Sequence, residues 1–261
     1  MSRIARLGIL FSVVFAWGQL ATADDWGNLS GRFIYGGSAP TPKAIKITKD
    51  PEVCSKHNLV EEQLVVGPSS GLANVIVFLR TAKPKVHPDY EKTAKDEKVL
   101  DNHNCRFVPH VQTVRTGQTL VIKNSDPTGH NTNIASFNQA FNQSIPIKDQ
   151  LTVVFKMEEK FPVPVSCNIH PWMSAYLVIR GNPYMTVSDE KGSFKIENLP
   201  VGKELEFQLW HETSGNVKGS GVKGVKGAKV DSKGRFKIKI KPGENELGDI
   251  TISPSVLKPK G

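Results

Sequence analysis

Seven consecutive residues, Cys167-Asn-Ile-His-Pro-Trp-Met173, put a thiol, an imidazole and a thioether on one short turn. These are soft and borderline donors, the kind that suits a copper ion cycling between Cu(I) and Cu(II). A mononuclear type 1 (blue) copper site takes two imidazoles and one thiolate in a plane, with a long, weak thioether on the axis. The turn carries three of those four groups, on Cys167, His170 and Met173. The missing imidazole has to come from elsewhere, and an upstream candidate is His130 in Ser125-Asp-Pro-Thr-Gly-His-Asn131. A cysteine kept for a metal belongs in a dry, preformed pocket. The flanks agree: Pro162 and Pro164 precede the turn and the apolar run 175–179 follows it. The competing reading of Met173 is a gap filler in a core, a common use of thioethers.

The compartment constrains the cysteines. Residues 1–23 read as an export signal, with Arg3 and Arg6 at the start, an apolar stretch over 9–17, and Ala21-Thr-Ala23 as a small-x-small cleavage site. A membrane anchor is the competing reading of that stretch, which is well short of the roughly 20 apolar residues a span needs. The chain is therefore expected to be exported, periplasmic or extracellular, with no membrane span once the signal is gone. Three cysteines, Cys54, Cys105 and Cys167, then enter an oxidising compartment. An even pair tends to close there and an odd one needs a purpose. A Cys54–Cys105 disulfide leaves Cys167 free for metal. The alternative makes Cys54 or Cys105 a ligand, with His57 or His103 in a second soft site.

Loss of the two arginines in the signal lowers the formal charge from +9 to +7. The excess favours acidic partners. Nucleic acid is not among them, because the chain lacks the interleaved basic and aromatic residues of the known binding modules.

The elements that must position these groups are strands. Short stretches rich in Val, Ile, Phe and Thr, bounded by Gly, Pro, Asn or Asp, fall at 29–35, 74–79, 112–115, 119–123, 151–156, 175–179, 193–196, 205–210, 235–240 and 249–253. No long stretch has helical period; only 89–99 is compatible with a short helix or linker. The expected fold class is all-β, built of sandwiches. Asp189-Glu-Lys-Gly192 and Asp231-Ser-Lys-Gly234 read as two hairpin turns of similar chemistry, and the Gly- and Lys-rich stretch 215–229 reads as a solvated, mobile loop.

Across 105–179 the order is a Phe107-Val-Pro109 strand, a turn at Gly117, Asn124-Ser-Asp126 ahead of His130, and the Cys-x2-His-x2-Met loop. This resembles the cupredoxins, and the short ligand loop is most like that of amicyanin. The resemblance implies a Greek-key β-sandwich over 99–181 with one copper on His130, Cys167, His170 and Met173, and Asn131 tying the two ligand-bearing loops together. It also implies an electron port at the outer edge of the second histidine, here framed by Pro171, Trp172, Phe137 and Phe141. The remainder, with Asp189-x-x-Gly-x-Phe-x-Ile-x-x-Leu-x-x-Gly202, looks like a carboxypeptidase-regulatory or transthyretin-like sandwich. Its early strands lie before the copper unit and its late ones after it, so a discontinuous second sandwich of 26–98 and 182–254 is expected, stapled to the first by the disulfide. The arrangement also looks like exported proteins described as methylamine-utilisation-like.

The function this implies is single-electron transfer between redox partners, among them a transiently docked, acidic protein. A copper carrier or chaperone and an envelope-associated interaction protein are the alternatives. An enzyme is not expected: seven histidines without any His-x-His pair do not furnish a trinuclear oxidase centre, and no Cys-x-x-Cys-His haem motif is present. His103 and His110 are left as strand-edge histidines or a second metal site.

Overall fold

The computed structural model describes residues 25–259; the expected export signal, 1–23, lies outside the described residues. The chain is all-β, as its pattern of short strands predicts. Among the described residues there are four sheets, layered on one another through shared cores. The first joins Ser193–Pro200, Trp26–Tyr35, Gly243–Ile252 and Val222–Lys223. The second joins Met185–Val187, Ile76–Leu79 and Glu204–His211, the last also pairing with Gly215–Asn216 and Arg235–Lys239. The third runs Val111–Arg115, Ser174–Arg180, Val163–Ser166, His130–Ile134, Phe141–Ile145, and the fourth Arg106–Val108, Lys98–His103, Thr119–Asn124, Gln150–Val154.

Side-chain alternation along the strands explains the stacking. Between the first two sheets lies one core, in which Leu29, Phe33 and Ile250 meet Val77, Phe207 and Leu209. Between the last two lies another, in which Leu100, Leu120 and Ile122 meet Ile134, Val165 and Leu177. The middle sheets bury their other faces on each other, through Ile76, Phe78 and Trp210 against Val111 and Val178. That is why Ile76–Leu79 is apolar at every position: odd and even residues enter different cores.

All ten expected strands are present. The stretch 89–99 holds a one-turn helix, Asp89–Lys92, and the start of the strand Lys98–His103. Strands such as His130–Ile134 and Phe141–Ile145 escaped the sequence pattern because their residues are mostly polar; they form through pairing with each other, His130 opposite Ile145. The stretch 215–229 departs from the expected mobile loop. Val217 is fully buried in the first core, and Val222 and Lys223 pair with Ile252 and Thr251. The two Asp-x-x-Gly turns do share their chemistry: Asp189 Oδ1 accepts from the amides of Lys191 and Ser193, and Asp231 Oδ1 from those of Lys233 and Arg235.

Cys54 and Cys105 form a disulfide, and Cys167 is free and buried. The bridge fastens the short helix Pro51–Cys54 to the turn between Lys98–His103 and Arg106–Val108, in which Asn104 and Cys105 both have positive φ.

Candidate metal centre

The hairpin Val163–Ser166 and Ser174–Arg180 closes with Ser166 opposite Ser174, so residues 167–173 are its turn. Two backbone bonds fold that turn tightly, Cys167 N–H to Met173 O at 3.3 Å and Met173 N–H to His170 O at 2.9 Å. The neighbouring strand His130–Ile134 places Asn133 beside Ser166. Its first residues consequently run past Cys167, and the Asn131 amide donates to Cys167 Sγ at 3.4 Å.

Each imidazole is held from behind by a carboxylate. His130 Nε2 lies 2.9 Å from Asp126 Oδ2, and His170 Nε2 lies 2.8 Å from Asp50 Oδ2. Asp126 is itself fixed by the amides of Asn104, at 2.6 Å, and Cys105, at 2.8 Å. The left-handed turn at those two residues aims successive N–H groups at one carboxylate. Asp50 receives the Thr128 hydroxyl at 3.0 Å. With the Nε2 atoms occupied, the Nδ1 atoms are the free donors. His170 Nδ1 stands 3.8 Å from Cys167 Sγ, and His130 Nδ1 is buried without a hydrogen-bond partner. One donor atom from each of His130, Cys167 and His170 falls within 4.8 Å of the others.

This arrangement fits a metal ion. With bonds of about 2.0–2.3 Å, donors in a trigonal plane stand roughly 3.5–4 Å apart. Burial alone raises the Cys167 thiol, but it is outweighed by the facing His130 and His170 rings and by the amides of Asn131 and His170, which bring the pKa down to about 5. The sulfur is therefore a thiolate at neutral pH, the form that ligates. Burial lowers the His130 pKa, and the hydrogen bond to Asp126 together with the neighbouring Cys167 sulfur reverses that into a net rise. For Asp126 burial acts upward, while His130 and the two amides hold it below the ordinary carboxylate range. Carboxylates behind ligand imidazoles fix tautomer and ring orientation, an arrangement common behind metal-bound histidines.

Met173 is 2 % exposed and belongs to the same core cluster as Cys167. Asn131 joins the segments that carry His130 and Cys167: its Oδ1 accepts the Asn168 amide at 3.1 Å, and its Nδ2 donates to Asn142 Oδ1 at 2.8 Å. Cys105, Asp126 and His130 form a second close group, but the Cys105 sulfur is spent in the disulfide. His103 is exposed, His110 is engaged by Glu212 at 2.6 Å, and neither joins a metal-type cluster among the described residues. His57, in the turn after Cys54, joins no such group among the described residues.

No family model matches the sequence, and no curated protein matches it. Several solved structures are similar to part of the chain. A Cu-containing nitrite reductase (NirK) from Thermus scotoductus SA-01 aligns at 16 % identity over 31 % of this chain and 21 % of its own, with a TM-score of 0.29. A proline-to-glycine mutant of amicyanin in its reduced Cu(I) form aligns at 17 % identity over 40 % of this chain and 97 % of its own, TM-score 0.29. A reduced tryptophan-to-tyrosine mutant of amicyanin gives 16 %, 40 % and 97 %, TM-score 0.30. The chain spans about a fifth of the length of that reductase.

The expected port does not exist as such. The His170 side chain is fully buried, and its outer nitrogen is covered by Asp50, from a segment 120 residues upstream. Phe141 pairs opposite Ile134, at the far end of the strand from His130, and Phe137, 93 % exposed, lies beyond that end. Of the four residues expected around the port, only Pro171 and Trp172 lie beside His170. The sequence pattern included Asp126 ahead of His130 without giving it a role, and it did not include Asp50. Asp126 could have been found from its place four residues before His130; nothing in the sequence marks Asp50.

Proposed function

We propose that the chain holds one type 1 copper ion on His130 Nδ1, Cys167 Sγ and His170 Nδ1, with Met173 as the weak axial donor, and serves as an exported single-electron carrier without substrate turnover. The observation that carries this reading is the buried, partnerless Nδ1 of His130 beside a thiolate and a second imidazole whose other nitrogen is already taken. An orphaned buried donor of that kind is costly unless something binds it. Bound copper would supply a one-electron couple. The protein's part is to keep the donors still, since electron exchange is fast when the cage hardly changes. Asp126 and Asp50 lock the rings, the amides of Asn131 and His170 lock the sulfur, and full burial keeps water out. The division into a copper unit over 99–181 and a discontinuous sandwich of 26–98 and 182–254 belongs to the same proposal; the two separate cores support it. The basic surface suits an acidic protein as one of the carrier's two partners.

The test is an absorption and paramagnetic resonance spectrum of the copper-loaded protein. Intense absorption in the visible red, lost in Cys167→Ala, is the expected result. Copper bound only as Cu(I), with ready exchange to a chelator, would move the reading to a copper carrier.

A further inference from the structure

All four candidate ligands are buried: His130 is 1 % exposed, Cys167 3 %, His170 0 % and Met173 2 %. An ion has to reach them, so part of their cover must move, and one part is far less secured than the rest. The segment 44–63 lies as a strap over the His170 edge of the ligand turn, where Asp50 Oδ2 meets His170 Nε2 at 2.8 Å. The Asp50 side chain is 34 % exposed and that of His170 is 0 %, so this carboxylate stands between the outer nitrogen of the ring and water.

The strap belongs to none of the four sheets; its single bridge, Ala44 with Val60, is internal. Its backbone bonds close locally, Ile45 N–H to Leu59 O and Glu61 N–H to Lys43 O, both at 2.9 Å. Among the described residues no backbone hydrogen bond ties 44–62 to a sheet. Side chains do the fastening. They are the disulfide at Cys54, the contacts of Asp50 with His170 and with the Thr128 hydroxyl at 3.0 Å, the Glu62–Arg106 ion pair at 2.6 Å, and a small apolar cluster around Leu59. Two hollows adjoin the strap, a groove of about 670 Å³ shared with Pro171, Trp172 and Met173, and one of about 330 Å³ among Ile47, Asn58 and Leu59. A segment with few buried apolar side chains and no ladder opens at a lower free energy than the sheets beneath it.

The two strongest fastenings sit one turn apart, since Cys54 N–H donates to Asp50 O at 2.9 Å. Cys54 and Cys105 are both fully buried, which makes the bridge the fixed end. We propose that the strap is a lid on the metal centre, anchored at the Cys54–Cys105 bridge and latched by the Asp50 carboxylate, which lifts to pass an ion and closes to keep the site dry. The latch and the ligand set are coupled. The contact that shuts the lid also occupies His170 Nε2 and so leaves Nδ1 for the ion, as carboxylates behind ligand imidazoles do.

The lid rests on the copper reading only for the identity of the ion, and its test uses the metal-free, disulfide-intact protein. Cys167 is the one free thiol, so its alkylation by iodoacetamide at about pH 8 reads opening. The wild type should react far more slowly than the urea-unfolded chain, at a rate that scarcely changes in low urea, because lifting a strap exposes little surface and global unfolding exposes much. Asp50→Ala, which removes a charged hydrogen bond, should speed the reaction about tenfold or more, and Thr128→Val several-fold. Phe236→Leu, a change in the core between the first two sheets, should leave it unaltered. If Asp50→Ala fails to fold, Thr128→Val carries the same test. The inference is overturned if the wild type reacts as fast as the unfolded chain, if its rate follows urea as steeply as global unfolding does, or if the latch variants react no faster than Phe236→Leu. A type 1 spectrum beside any of those results would strike the lid and leave the copper reading. A lid that responds as expected in a protein that never shows that spectrum would stand, with only the identity of its ion removed.

Discussion

Substituting Asp126 by asparagine removes one charge and keeps the shape, so it isolates what the carboxylate does for His130. Asp126 is 2 % exposed and accepts three hydrogen bonds, from the Asn104 and Cys105 amides on its two oxygens and from His130 Nε2. An asparagine offers one carbonyl oxygen and turns its NH2 toward donors. If the oxygen takes the Oδ1 place and stays with the Asn104 amide, His130 Nε2–H and the Cys105 amide, which share Oδ2, lose their acceptor, and a hydrogen bond to a charged group is worth about 1.5–3 kcal/mol. The ring is then free to tilt or change tautomer, moving Nδ1 from its place beside Cys167. Loss of a carboxylate behind a ligand histidine typically weakens metal binding about 10- to 100-fold, which converts to roughly 1.4–2.7 kcal/mol and agrees with the lost bond. Chelator competition against a Cu(I) indicator would read this directly, with urea unfolding of the metal-free protein as control. Copper affinity within threefold of wild type, alongside a clear loss of stability, would show that Asp126 merely holds the turn at 104–105 and would refute the reasoning.

Three further outcomes follow from the geometry. In the metal-free protein the ultraviolet thiolate absorbance of Cys167 should persist to mildly acidic pH and titrate near 5; a midpoint above 8 would mean that the two imidazoles do not face the sulfur. His211 is fully buried, and burial, only partly opposed by the charge of Glu212, lowers its pKa to about 4. Its neutral form contributes full stability above about pH 6.5, and that contribution is lost as pH falls from there toward 4, at up to about 1.4 kcal/mol per pH unit. His211→Gln should flatten the unfolding free energy over that window, and equal slopes in both proteins would contradict the assignment. Removing the bridge with Cys54→Ala and Cys105→Ala releases a link between residues 51 apart in sequence, worth about 4 kcal/mol in chain entropy. A loss under 1 kcal/mol in urea unfolding would mean that the strap 44–63 is held without it.

The sequence alone determined the local elements and the soft donor set of the candidate site. Alternating Val, Ile and Phe between Gly and Pro breaks is enough to make strands, so the all-β class was legible, as was the tight turn carrying Cys167, His170 and Met173. The odd cysteine count in an expected oxidising compartment set Cys167 apart from the Cys54–Cys105 pair. What tertiary structure decided was everything set by polar groups meeting across long distances in the chain. His130-Asn-Thr-Asn-Ile has no strand signature and becomes one only by pairing on both sides. Asp50 reaches His170 from 120 residues away, on the segment that the Cys54–Cys105 disulfide also fastens. A carboxylate needs no neighbours of its own to find such a place. Hydrophobic period is a local property of the chain; which buried imidazole meets which carboxylate is a property only of the folded packing.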